Sequence, residues 1–239
     1  MLKLAVFLGN YGYKYKNNRH NAGWMLAEVL PFLQELNWQN KFKGLYSCID
    51  YNRICTAENI ELESGETLEI PLPAVPDLPS KIHFLLPETF MNRSGESAQA
   101  AAVFFKIKLD EIIVIHDEIE LPFGNLSLKY GGGLGGHNGL RSMKDSFGSA
   151  DFWRLRIGIG RPDERVPGKG GDAGNDNGIA GWVLSDFSSE EAQTLVPVFN
   201  TGARLLLRAL ATGPQPLLPE WARKRLLLAI MACKTFYFF

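Results

Sequence analysis

Leu2-Lys3-Leu4-Ala5-Val6-Phe7-Leu8, ending in Gly9-Asn10, and Ile112-Ile113-Val114-Ile115, ending in His116-Asp117, decide the fold. Both are short, almost continuously apolar runs that stop at polar residues. Such runs read as strands buried on both faces, as in a parallel sheet covered by helices. Working outward, further strand candidates fall at residues 45–50, 53–56, 82–86, 126–130 and 154–159. Helices fit between them. Asn21 is placed to cap one carrying Trp24, Met25, Val29 and Leu33, which Pro31 bends or divides. Ser94-Gly95 opens another through Phe105, with Glu96 in its first turn, and a short helix fits within residues 136–147. Ser188 and Glu191 have capping-box spacing for a helix to about Ala211, stopped by Gly213-Pro214. The Pro- and Glu-rich stretch 61–79 reads as a surface excursion, and the Gly- and Asp-rich stretch 168–181 as a mobile loop. Strands alternate with helices without a composition break. The expected fold is therefore one three-layer α/β/α domain over residues 1–213, built on a twisted, mixed, mostly parallel sheet. Residues 214–239 read as a basic and apolar tail, helical where residues 221–230 are amphipathic.

Composition narrows the class. With 239 residues, 46% hydrophobic and 21% charged, the chain is long enough for a packed core, and its net charge of −1 argues against a non-specific nucleic-acid coat protein. Cys48, Cys55 and Cys233 offer neither a disulfide framework nor zinc spacing, so reduced thiols and a cytoplasmic location are expected. The apolar start is too short for a signal peptide and reads as a first strand, and no run is long enough to span a membrane.

Five segments carry polar groups in places that packing alone does not require. Gly9-Asn10-Tyr11-Gly12 lies just beyond a buried strand, where ligands bind in open α/β sheets, although Asn and Gly also make ordinary turns. His20, in Arg19-His20-Asn21-Ala22-Gly23, precedes a helix whose dipole disfavours the imidazolium, so a neutral, basic imidazole is expected; a capping or surface histidine is the plainer alternative. In Glu88-Thr89-Phe90-Met91-Asn92-Arg93-Ser94-Gly95, Phe90 and Met91 read either as a staple on the core or as a platform for a base. Asp117, at the tip of a buried strand, is costly to bury unpaired and reads as an ion-pair partner or as support for a catalytic histidine. Finally, residues 131–136 hold five glycines in six positions, ahead of His137-Asn138. They permit positive φ and close backbone approach, but they complete neither a P-loop nor a dinucleotide fingerprint.

Together these segments resemble the bacterial-type peptidyl-tRNA hydrolase family. The matching pieces are LGNYGYKY, RHNAG, ETFMNRSG, IHDEIELPFG, LKYGGGLGGHNGLRSM and FWRLRIGIGRP, in family order, with a weaker match in GWVLSDF. Tyr11 stands where the family usually has proline, stretches 61–79 and 168–181 look enlarged, and the tail beyond about Gly213 departs from the pattern.

The resemblance implies hydrolysis of the ester between a peptide and the 3′-terminal ribose of tRNA, without metal or cofactor, by a monomer. It implies that His20 is the general base, held by Asp117, and that Asn10, Asn92 and Asn138 line the site as neutral amides, Asn10 helping to separate peptidyl from free aminoacyl esters. It places Tyr15 and Phe90, joined by Met91, against the tRNA end. Lys129, Arg141 and Lys144 are candidate phosphate contacts, with Arg154 or Arg223-Lys224-Arg225 beyond them. The competing readings are a non-catalytic RNA-binding protein on the same scaffold, an esterase or proofreader of unblocked aminoacyl-tRNA, and, more remotely, a nucleotide-binding enzyme.

Overall fold

The computed structural model describes residues 1–32, 35–55, 60–61, 67–68, 78–162 and 176–222. In chain order the elements are β1 (Leu4–Phe7), α1 (Ala22–Glu28), β2 (Gln39–Lys41), β3 (Gly44–Asp50), α2 (Tyr51–Cys55), β4 (Ile60–Glu61), β5 (Thr67–Leu68), β6 (Lys81–Pro87), α3 (Ser94–Phe105), β7 (Ile112–Glu118), β8 (Leu126–Tyr130), α4 (Asn138–Phe147), β9 (Trp153–Gly158), α5 (Asp176–Val183), α6 (Ser189–Thr212) and α7 (Leu218–Trp221). Seven strands form one sheet in the order β2-β3-β6-β1-β7-β9-β8, and β4 and β5 pair separately. The centre, β6-β1-β7-β9, is parallel, while β3 on β6, β2 on β3 and β8 on β9 are antiparallel. This is the mixed sheet expected from the sequence, with the two apolar runs side by side at its middle.

Strand alternation sorts the core into two layers. Ala5 and Phe7 of β1, with Ile113 and Ile115 of β7, pack with Ala22, Leu26 and the long α6, including Leu206 and Leu210. Leu4 and Val6 of β1, with Ile112 and Val114 of β7, pack with Ala98 and Ala101 of α3 and Leu140 and Met143 of α4. Asp117 continues the parity of Ile113 and Ile115, so it faces the layer that α1 covers. The Ser188–Glu191 capping box opens α6 as expected.

Three details differ from the expectation. Residues 53–55 belong to the helix α2, not to a strand; Ile54 is buried against the α6 layer, and residue 56 lies outside the described residues. Of the loop placed at 168–181, residues 176–181 begin α5, and the rest lies outside the described residues. α1 ends at Glu28, before Pro31, and Leu33 is outside the described residues. Of the tail, α7 packs down with Trp221 buried, and Ser127 donates to the Ala222 carbonyl at 2.7 Å; residues 223–239, including the Arg223-Lys224-Arg225 cluster, lie outside the described residues. Of the 61–79 excursion, residues 61, 67–68 and 78–79 are described, and β4 pairs antiparallel with β5.

Gly23 sets the height of the site. A Cβ there would lie 2.6 Å from the carbonyl oxygens of both Leu8 and Ile115, so only glycine lets α1 rest on the ends of β1 and β7. Gly23→Ala is expected to cost about 1–3 kcal/mol by overpacking. Gly181→Ala, where a Cβ would meet nothing within 4 Å, is expected to be neutral or to stabilise by up to about 1 kcal/mol. Urea unfolding of both variants checks this; equal destabilisation would contradict the close approach.

Candidate active site

The site lies at the carboxyl ends of the central strands, where open α/β sheets bind their ligands. β1 ends into Asn10, and β7 carries Asp117. The turn Arg19–Asn21 brings His20 over the strand ends, and α4 begins beside them with His137 as its N-cap.

Asp117 is the hub. It is 2% exposed and receives two imidazoles. His20 Nδ1 lies 2.9 Å from Oδ1 and 3.1 Å from Oδ2, and His137 Nε2 lies 2.9 Å from Oδ1. Burial alone would raise the Asp117 pKa; the charges and hydrogen bonds of the two histidines overcome it and hold the carboxyl far below the ordinary carboxylate range. With Asp117 ionised, His20 donates from Nδ1, and its Nε2 lone pair is left for the cleft. Burial would lower the His20 pKa, but the Asp117 charge and hydrogen bond outweigh it, and the pKa lies above the usual 6.5. The Asp117 contact thus acts on His20 in the direction opposite to the helix dipole read from the sequence.

His137 is the residue that sequence reasoning passed over. Its Nδ1 accepts the backbone N–H groups of Gly139 and Leu140 at 3.1 and 3.3 Å, so its proton sits on Nε2 and points at Asp117. The available signal was its place: like His20, it stands just before a helix in a segment rich in amides. His116 is fully buried beside it, ring edge to ring face at 5.0 Å, and its Nδ1 lies 2.6 Å from the Asp117 carbonyl. Burial, then the His137 neighbour, pushes its pKa well below 6.5.

Among the described residues, His20, Asp117 and His137 are a group spaced closely enough to hold a metal ion. The donor chemistry opposes it. A metal on His137 Nε2 would move the ring proton to Nδ1, against the two backbone N–H donors of the α4 cap, so the cap that orients this ring also disfavours it as a ligand.

The asparagines surround the base. Asn10 is buried; its Oδ1 accepts the Met91 backbone N–H at 2.9 Å, which leaves its Nδ2 end to donate. Asn21 does not cap α1 with its side chain. Its amide closes on the Asn10 backbone instead, Oδ1 accepting at 2.8 Å and Nδ2 donating at 3.1 Å. Asn92 and Asn138 are exposed, and Asn138 Oδ1 accepts from Arg141 at 3.4 Å.

The cleft has two arms that share His20, Asn138, Arg141, Ala180 and Val183. One, about 460 Å³, is lined by Asn10, Tyr15, Phe90, Met91 and Asn92. The other, about 350 Å³, runs past Asp117, Ile119, Gly136 and Ile179. Phe90 is 61% exposed, as a platform requires, but Met91 is 4% exposed and packs with Leu8 and Leu140, so it belongs to the floor of this arm and not to an exposed surface.

The basic residues separate. Arg141 lines both arms, and Lys144 is exposed one turn along α4. Lys129 is half-buried on β8 and lines neither arm. Arg154 is 1% exposed and is bonded to backbone carbonyls, which removes it from any phosphate-facing patch. Arg19, also unforeseen, ties the His20 turn to the cleft wall. Its guanidinium lies 3.8 Å over the Trp182 ring, donates to both Glu191 carboxylate oxygens at 2.9 and 2.7 Å, and donates to Ser185 Oγ at 2.8 Å.

Known proteins resemble this chain in both sequence and fold. The sequence profile described as "Peptidyl-tRNA hydrolase" matches residues 4–226. Peptidyl-tRNA hydrolase of Treponema pallidum (strain Nichols) is 41% identical over 230 residues, 95% of this chain and 97% of the relative. That of Rhodospirillum centenum is 39% identical over 200 residues, 83% of this chain and 71% of the relative. Among solved structures, a peptidyl-tRNA hydrolase in complex with n-propanol superposes with a TM-score of 0.69 at 28% identity, covering 93% of this chain and 97% of that one. The Acinetobacter baumannii enzyme gives 0.65 at 30% identity, covering 92% and 91%. The described chain contains no helix long and apolar enough to cross a membrane. The chain belongs to the peptidyl-tRNA hydrolase family.

Proposed function

We propose that this chain hydrolyses the ester linking a peptide to the 3′-terminal ribose of tRNA, with His20 as general base. The observation that carries the reading is the buried His20–Asp117 pair at the junction of the two cleft arms, with His20 Nε2 turned to the cleft. Water attacks the ester carbonyl carbon as Nε2 takes its proton. Asp117 stabilises the imidazolium and fixes its tautomer, and the same proton passes to the ribose oxygen as the C–O bond breaks. The peptide leaves as a carboxylic acid and the tRNA with a free ribose hydroxyl. No step calls for a metal or a cofactor, and the α4 cap disfavours a metal on His137.

The amides supply substrate selection. The oxygen of Asn10 is taken by Met91, so Asn10 offers donors, suited to a carbonyl of the acylated substrate. A free aminoacyl ester brings an ammonium, itself only a donor, which the Asn10 Nδ2 end cannot receive and which would lose water on approaching it. Asn92 and Asn138 line the same arm and complete the grip on the peptide. Tyr15 and Phe90 stack the terminal base, a contact worth about 1–3 kcal/mol and indifferent to sequence, with Met91 supporting Phe90. Arg141, Lys144 and Lys129 face the acceptor-arm phosphates. A monomeric, cytoplasmic enzyme belongs to the same reading.

Hydrolysis of N-acetyl-aminoacyl-tRNA beside the unblocked ester, in EDTA, is the test. Release from the blocked substrate alone is expected, falling at least about 10²-fold in a folded His20→Ala. Binding of tRNA without release from either substrate would instead favour a non-catalytic RNA-binding protein. Asp117→Asn is expected to lose less activity than His20→Ala. The acid limb of kcat/KM follows loss of the His20 proton, so in the wild type its midpoint lies above 6.5. Removing the Asp117 charge leaves burial to act alone, and the midpoint moves to lower pH; a fixed or rising midpoint would contradict the assigned pair. Affinity for tRNA is expected to fall with salt, and Arg141→Ala to reduce the slope of log affinity against log salt by about 1.

A further inference from the structure

The glycine-rich segment is explained neither by a turn nor by a phosphate cradle. A cradle presents N–H groups to an anion; here the segment turns carbonyls onto a buried cation. Arg154, on β9, donates from one terminal nitrogen to Gly133 O at 2.7 Å and from the other to Gly131 O and Gly132 O at 2.6 and 2.7 Å. Bringing three successive carbonyls to one guanidinium requires backbone that side chains resist. Gly131 and Gly132 have φ of +57° and +83°, and Gly135 and Gly136 follow at +58° and +74° as the chain turns into α4. Among the described residues no carboxylate pairs with Arg154; Glu118 lies 3.7 Å from Arg156 instead. Burial and then the Arg156 charge lower the Arg154 pKa, the Glu118 charge acting the other way, so the charge is held at a cost that the carbonyls help to offset.

We propose that Arg154 is a positioning residue: it fixes the 131–136 loop, and through that loop it sets His137 against Asp117 and Asn138 at the cleft. The inference rests on the hydrolase reading for its activity readout, but not for its structural one. The path is short and continuous. The loop runs directly into His137, whose Nδ1 caps α4 and whose Nε2 reaches Asp117 at 2.9 Å. A displacement of about 1 Å at a catalytic group costs on the order of 10²-fold in rate, so slack in this loop is read as turnover.

The test uses the full chain, wild type and Arg154→Lys, which keeps the charge but cannot span three carbonyls. Expected for Arg154→Lys is a fall in kcat of about tenfold or more, KM for N-acetyl-aminoacyl-tRNA within about twofold, and an unchanged salt slope of tRNA binding. Raised KM with a salt slope lowered by about 0.7–0.9, as loss of one phosphate contact gives, would overturn the proposal. Two measurements do not depend on turnover. In the ¹⁵N-labelled wild type, the Arg154 guanidinium resonances are expected to stay in place when a tRNA acceptor minihelix saturates the protein; movement on binding overturns the assignment. In Arg154→Lys, the His137 Nε2–H resonance is expected to lose its hydrogen-bonded position; an unchanged resonance with unchanged kcat overturns it too. If the wild type hydrolyses nothing, the hydrolase reading fails, and these two spectra still decide the loop's anchor. Should Arg154→Lys not fold, the wild-type spectrum decides alone.

Discussion

A single buried carboxylate receiving two imidazole N–H groups governs this molecule. Taking Asp117 out of water without partners would cost several kcal/mol, and each of its donors comes from a different part of the chain. His20 arrives on the turn before α1, His137 on the cap of α4, and Asp117 itself on β7. The three can meet only if α1 sits low on the sheet, which Gly23 permits, and if the loop before α4 closes sharply, which its glycines permit. The fold thus reads as a set of conditions for one contact, and that contact sets both the tautomer and the basicity of the proposed base.

Two buried arginines brace the surroundings, each by a different chemistry. Arg19 pairs with a carboxylate, Glu191 at the start of α6, and lies on Trp182, so it joins the His20 turn to the wall formed by α5. Arg154 gives both terminal nitrogens to backbone carbonyls of the glycine-rich loop. Guanidinium suits both places because its planar fork offers several donors in fixed directions and stays charged when buried. The Tyr15 and Phe90 arm is less constrained: Phe90 is 61% exposed, which suits stacking that reads no sequence.

Much of this was legible in the residues, for identifiable reasons. Apart from Lys3, the runs at Leu2–Leu8 and Ile112–Ile115 contain only side chains that tolerate burial on both faces, so the parallel centre could be read directly. Asp117 stood out by position, since an unpaired carboxylate at a buried strand tip is costly, whereas His20 and Asn10 taken alone read as a capping or surface histidine and a turn residue, and only the five segments together gave them a role. Residues 53–55 were misread because Arg53-Ile54-Cys55 is too short for its period to separate helix from strand. Met91 beside Phe90 looked like half of a platform, but the backbone at Phe90 is extended, which turns successive side chains to opposite faces, and Met91 fell into the core. The role of Arg154 was hidden because charge alone suggests phosphate, and only three dimensions reveal carbonyls converging on it. For His20 the helix dipole is visible in the local sequence, whereas the contact that raises its pKa is with a residue 97 positions away and follows only from the fold.

The central claim is that one ionised carboxylate orders two histidines into opposite tautomers and raises the basicity of one. Long-range ¹⁵N–¹H correlation spectra of the imidazoles across a pH titration test it most directly. The account predicts that His137 carries its proton on Nε2 with Nδ1 as acceptor, that His20 carries its proton on Nδ1, and that His20 titrates above 6.5. A proton on His137 Nδ1, or a His20 midpoint below 6.5, would contradict it.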